Sequence, residues 1–111
     1  MDTTTLQNET SAKIARLNDA ARLNASNYVA SRGIMSLDEH TISEVFVTVQ
    51  NFKTFTEDND PYGEHDFGTF TMNGDKIFWK IDYYDQNLEM WCDPLDPDCR
   101  RVITIMLAED Y

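Results

Sequence analysis

The chain predicts an α+β fold: two helices packed on one face of an antiparallel sheet of about four strands. The expected order is helix, strand, helix, strand, strand, strand. Three observations carry this. Apolar residues recur at helical spacing in two stretches of the first half. The pair Asn73-Gly74 separates two aromatic-rich runs, the strongest short-range signal of a hairpin. A last apolar run, Arg101 to Ala108 (RVITIMLA), reads as a buried strand. One sheet with both amphipathic helices on one side is the simplest way to bury all of these.

Residues 1–8 are polar and are expected to be frayed, leaving a single domain over 9–111. Ile14, Leu17, Ala20 and Ala21 then mark the apolar side of a helix over about 10–23, with Lys13, Arg16, Asp19 and Arg22 elsewhere on the cylinder. Thr10 or Ser11 can cap its start, and Asn24 to Ser26 supply a stop. Asn27 to Arg32 (NYVASR), closed by Gly33, reads as a short strand. Ser36-Leu37-Asp38-Glu39 has the form of a capping box. Leu37, Ile42, Val45, Phe46, Val49 and Phe52 continue it as a helix over about 37–51. The β-branched run Val45, Val47, Val49 pulls toward a strand, but the cap and the helical period outweigh it. Phe52 and Phe55 are expected to tuck the helix exit under the core.

Next comes Thr56 to Gly68, TEDNDPYGEHDFG, which is rich in turn residues. The hairpin follows, Phe67 to Met72 and Lys76 to Tyr84. On its second strand Ile77, Trp79, Ile81 and Tyr83 share the uncharged face, which the helices should cover. Phe78, Lys80, Asp82 and Tyr84 share the other. Asp85 to Cys99 is loop-like, with Pro94, Pro97 and six acids between Asp82 and Asp98; Leu88, Met90 and Trp91 are expected to pin it to the domain. No internal repeat or second domain is evident.

The 111 residues carry a net charge of −11, unevenly placed. Residues 1–56 hold six acids against five bases, and residues 57–111 fourteen acids against four bases, so the second half carries −10. Direct nucleic-acid binding is disfavoured, because phosphate contacts need lysine and arginine. A basic protein surface is the favoured partner, although acidity also serves solubility. The longest apolar runs fall far short of a membrane span. The polar start MDTTTLQNET does not resemble a secretory signal, so a cytoplasmic protein without membrane contact is expected. Cys92 and Cys99 flank CDPLDPDC, a spacing that matches neither a zinc nor a redox CxxC pattern. A disulfide there is sterically open, and two free thiols are the expectation in a cytosolic chain.

Three constellations could carry function. Asp58, Asp60 and Asp66 lie where a calcium loop has ligands, with Gly63 at its glycine position. The match fails at Tyr62 and Thr69, and Asx turns account for the same residue types. His65 beside Glu64, with Asp82 on the nearby strand, could act as a general base. The alternative is a loop hydrogen bond for His65 and an ion pair between Lys80 and Asp82. No GxSxG or HExxH motif is present. The third is a partner surface: Glu57, Asp58, Asp60, Tyr62, Glu64, Asp66, Tyr84, Asp85, Glu89 and Asp93 place aromatic anchors among acids.

The blocks TEDNDPYGEHDFG, FWKIDYYD and ITIMLAEDY, in that order, resemble the signature of a small bacterial domain-of-unknown-function family found in proteobacterial chromosomes, plasmids and related elements. The resemblance covers roughly residues 12–111; the two cysteines are not part of it. It implies no activity, cofactor or catalytic residue. Its association with mobile elements makes an anti-defence role conceivable.

The expectation is therefore a small acidic non-enzymatic interaction protein, monomeric or homodimeric and without a cofactor. It binds a basic, nucleic-acid-handling partner as an inhibitor or nucleic-acid mimic. The alternative is a metal-binding protein or hydrolase-like enzyme built on Asp58, Asp60, Glu64, His65 and Asp66.

Overall fold

A computed structural model describes residues 3–111, with side chains from residue 8 onward. Helix α1 (Thr3–Arg22) leads through a 3-10 turn to strand β1 (Tyr28–Ala30), the one-turn helix α2 (Arg32–Met35) and helix α3 (Glu39–Gln50). Strands β2 (Phe67–Met72), β3 (Asp75–Tyr84) and β4 (Arg100–Leu107) follow, then a 3-10 turn over Ala108–Asp110. The fold class is α+β, as the sequence implies. The helix expected from residue 10 already runs from Thr3, so the part of the expected frayed segment that is described is helical; residues 1–2 lie outside the described residues.

The strand order is β1-β4-β3-β2. β2 pairs antiparallel with β3 through the turn at Asn73 (φ 52°) and Gly74 (φ 88°), two left-handed residues as a tight hairpin requires. β3 pairs antiparallel with β4. The sheet is nevertheless mixed, not wholly antiparallel: β1 runs parallel to β4, with Tyr28 opposite Ile103 and Ala30 opposite Ile105. The long connection through α2, α3 and the hairpin lets the last strand return in the direction of the first, which a tight turn cannot do.

Ile77, Trp79 and Ile81 of β3 meet Ile103, Ile105 and Leu107 of β4 on one face, under Ile34, Val45, Val49 and Phe52 of the helical layer. Trp79 is fully buried, and Phe52 packs edge-on against it at 5.5 Å. Gly68 lies opposite Trp79, where an added Cβ would stand 2.3 Å from the indole nitrogen, so only glycine allows this approach.

Three local readings are corrected. The cap of α3 is Asp38, whose carboxylate accepts the Thr41 N–H at 2.9 Å; Ser36 ends α2 and donates its hydroxyl to the Arg32 carbonyl. Both Ser36 and Asp38 suit a cap, and the intervening one-turn helix claims the serine. The buried residues of α1 are Ile14, Ala15, Asn18 and Arg22; of the expected apolar side Ile14 is buried and Ala21 packs against the core, but Leu17 and Ala20 face solvent. Leu88, Met90 and Trp91 do not pin the 85–99 loop, because their side chains are exposed. The loop is fixed by its backbone: Trp91 bridges Tyr84, and Cys92 N–H donates to the Tyr83 carbonyl.

Candidate functional site

The two acid-rich loops meet at one end of the sheet. β2 begins, β3 ends and β4 begins there, so the loops before β2 and between β3 and β4 must share that end. The register makes them adjacent along one edge of β3. Phe67 pairs with Lys80, the Asp66 carbonyl accepts the Ile81 N–H, and Cys92 and Trp91 then take Tyr83 and Tyr84. From Ile81 to Tyr84 is about 10 Å of strand.

The acids of both loops shape their own backbones. Asp60 is buried, and one carboxylate oxygen accepts the N–H groups of Glu64 (3.0 Å) and His65 (3.1 Å). This holds the loop where Gly63 and His65 adopt positive φ. Asp85 accepts from Asn87 and Glu89, Asp93 from Leu95, and Asp96 from Asp98. These are the Asx turns their residue types favour. Outside these bonds the carboxylates of Asp85 and Asp93 are open to water, whereas that of Asp60 is enclosed beside His65. Among the described residues, Asp82, 2.8 Å from Lys80, is the one acid of 57–111 with a lysine or arginine within 4 Å.

The arginines nearby bind carbonyl and amide oxygens instead. Arg101 donates to the Asn18 side chain and to the Pro94 carbonyl. Arg100 reaches the Gln86 carbonyl. Arg22, fully buried, donates to the carbonyls of Val49 (2.8 Å) and Phe52 (3.0 Å) at the end of α3, where helix carbonyls lack partners, and to Asp19 (2.7 Å). Asn18 completes the inner layer, donating to the Glu64 carbonyl and the Tyr83 hydroxyl.

A groove of about 680 Å³ opens beside this layer, lined by Asp19, Arg22, Leu23, Lys53, Phe55 and His65 among others. The His65 ring stacks on Phe55 at 3.9 Å and an interplanar angle of 1°. Its Nδ1 lies 2.9 Å from Asp19, and its Nε2 lies 3.7 Å from Asp60. An oriented imidazole–carboxylate pair at a groove wall can move a proton.

Electrostatics follow from this crowding. Burial, then the charges of Asp66 and Asp60, raises the Glu64 carboxyl above its usual range. Burial chiefly raises Asp66 too, with Asp60 and Asp82 adding to it. Asp85 is lowered, first by the Glu89 N–H. Burial carries Tyr83 to about 12, so its hydroxyl stays a neutral partner for Asn18.

Of the residues singled out from sequence, Glu57, Asp58, Tyr62, Glu89 and Asp93 are exposed, whereas Glu64, Asp66, Asp82, Tyr84 and Asp85 are half-buried. His65 is not gathered with Glu64 and Asp82: its carboxylate neighbours are Asp19 and Asp60, and Asp82 pairs with Lys80 on the open face of the sheet. Asp60 serves the turn, and among the described residues no three His, Cys, Asp or Glu groups are placed to hold a metal ion. His40 pairs with Glu44 one turn along α3. Sequence reasoning missed Asn18, Asp19, Arg22 and Arg101. A signal existed in the four-residue spacing of Ile14, Asn18 and Arg22, which puts them on one helix face.

Among the described residues no helix is long and apolar enough to cross a membrane. A family model described as a protein of unknown function, DUF3768, matches residues 30–110. No curated protein and no solved structure matches the chain.

Proposed function

The chain belongs to the DUF3768 family of proteins of unknown function, and from its surface we propose that it is a small, acidic, non-enzymatic interaction protein. The working surface is the sheet end formed by loops 57–66 and 85–99, and the partner is a basic protein surface. One observation carries the reading: acids without cationic partners surround exposed apolar anchors. Tyr62 is 77% exposed, Met90 69% and Trp91 70%. Aromatic anchors inside a charged rim are how protein interfaces obtain both affinity and steering. A basic groove that handles nucleic acid fits this surface, and occupying it blocks the groove. Capture of basic proteins on the immobilised chain at rising salt tests the reading. Binding should weaken steeply between low and physiological ionic strength. Salt-indifferent association would refute it.

The Asp19–His65 pair favours a second reading, a groove that binds a small molecule and exchanges a proton with it. Calorimetric titration with calcium, magnesium, manganese and zinc separates a metal-dependent version of that reading from a metal-free one.

A further inference from the structure

We propose that Cys92 and Cys99 are a thiol–disulfide modification site, closed into an intramolecular bond by a small disulfide oxidant such as oxidised glutathione. The observation is positional. The segment leaves the Tyr83–Tyr84 end of β3 at Cys92 and re-enters the sheet at Arg100, opposite Tyr84. Cys92 is thus held at Tyr83 and Cys99 next to the Arg100–Tyr84 pair, close enough for each thiol to act on the other. Both are free and only partly covered, so an oxidant can reach them. Backbone bonds at each end, Cys92 N–H to Tyr83 and Cys99 N–H to Asp96, hold the pair in register without a covalent link.

The chemistry balances as two exchanges. The Cys99 thiolate attacks one sulfur of the oxidant and releases the first small thiolate. The Cys92 thiolate then attacks the mixed disulfide at the Cys99 sulfur and releases the second. The protein loses two electrons and two protons, and one small disulfide becomes two small thiols. The surroundings set the pace. Burial raises both thiols, the Asp96 carboxylate beside them raises them further, and Arg101 on β4 opposes this at Cys99. Few thiolates are present at neutral pH, so the pair is slow to oxidise, unlike a catalytic CxxC motif. Closure clips residues 92–99, the segment carrying Asp93, Leu95 and Asp96. The proposal is independent of the partner assigned above.

The full chain is equilibrated in glutathione buffers of graded ratio, remaining thiols are alkylated, and intact mass is read. The expected product is a single chain lighter by two hydrogens and free of alkyl or glutathione groups, restored by reductant. Cys92→Ser and Cys99→Ser should each carry one glutathione at the same ratios. Asp96→Asn keeps the Asx-turn acceptor but removes the charge, and should oxidise severalfold faster at neutral pH. A wild-type chain that gains two glutathiones, links to a second chain, or stays fully alkylated at the most oxidising ratio would overturn the proposal.

Discussion

The inward face of α1 and the loop over residues 85–99 occupy the same end of the sheet and are both polar, yet they are built oppositely. On α1, Asn18 and Arg22 point inward, and their side chains are bonded to carbonyls, a tyrosine hydroxyl, Asp19 and, through Arg101, to β4. In the loop, the carboxylates of Asp85 and Asp93 accept from nearby N–H groups and otherwise face solvent, and that of Asp96 accepts the Asp98 N–H and lies beside the Cys92 thiol. The contrast explains the surface charge. Arg22, Arg100 and Arg101 are committed to oxygens that bear no full charge, except for Arg22 at Asp19, and so the acids outside remain uncompensated. A buried arginine directs its donors to whatever acceptors are fixed nearby, and at Arg22 two of the three are the backbone carbonyls of Val49 and Phe52.

The comparison can be broken most sharply at Arg22. Arg22→Met should destabilise the fold by ~3 kcal/mol in urea unfolding, because two buried carbonyls lose their donor. A cost under half a unit would show that the inner layer is not structural. Asn18→Ala should cost ~2 kcal/mol, since the Glu64 carbonyl, the Tyr83 hydroxyl and Arg101 lose a shared partner. The outer loop should answer differently. Trp91→Ala keeps the backbone bridge to Tyr84 and should change stability by less than ~0.5 kcal/mol. It should weaken capture of a basic partner by about tenfold.

The smallest effect is expected beside them, at Asp66 just before β2. Asp66 titrates above its unfolded value, so the folded state holds its proton more tightly and stability falls as pH rises through that window. Asp66→Asn should therefore raise Tm slightly at neutral pH and leave it unchanged well below the unfolded carboxylate range. Half-buried carboxylates that oppose folding mark places where a protein trades stability for use. A Tm difference that is independent of pH would place the effect in packing instead.

Much of the fold was legible in the chain. Asn73-Gly74 fixed the hairpin because few backbone conformations reverse a chain in two residues. The alternation of Ile77, Trp79 and Ile81 fixed which face the helices cover. The site was less legible. Hydropathy placed the buried side of α1 at Leu17 and Ala20 because it counts asparagine and arginine as surface residues, and here both are inside. Asp19 lies 46 positions from His65, and no local pattern links residues so far apart.

By itself the amino-acid sequence determined the types of the longer elements, the hairpin turn and the excess of acid in the second half, because each depends on neighbours a few positions away. Only the tertiary structure decided that β1 runs parallel to β4, that Asp19 and not Glu64 orients His65, and that the two acidic loops abut along one edge of β3. Those outcomes depend on which distant groups can satisfy a buried polar atom once the core has closed, and that choice is made by geometry in three dimensions.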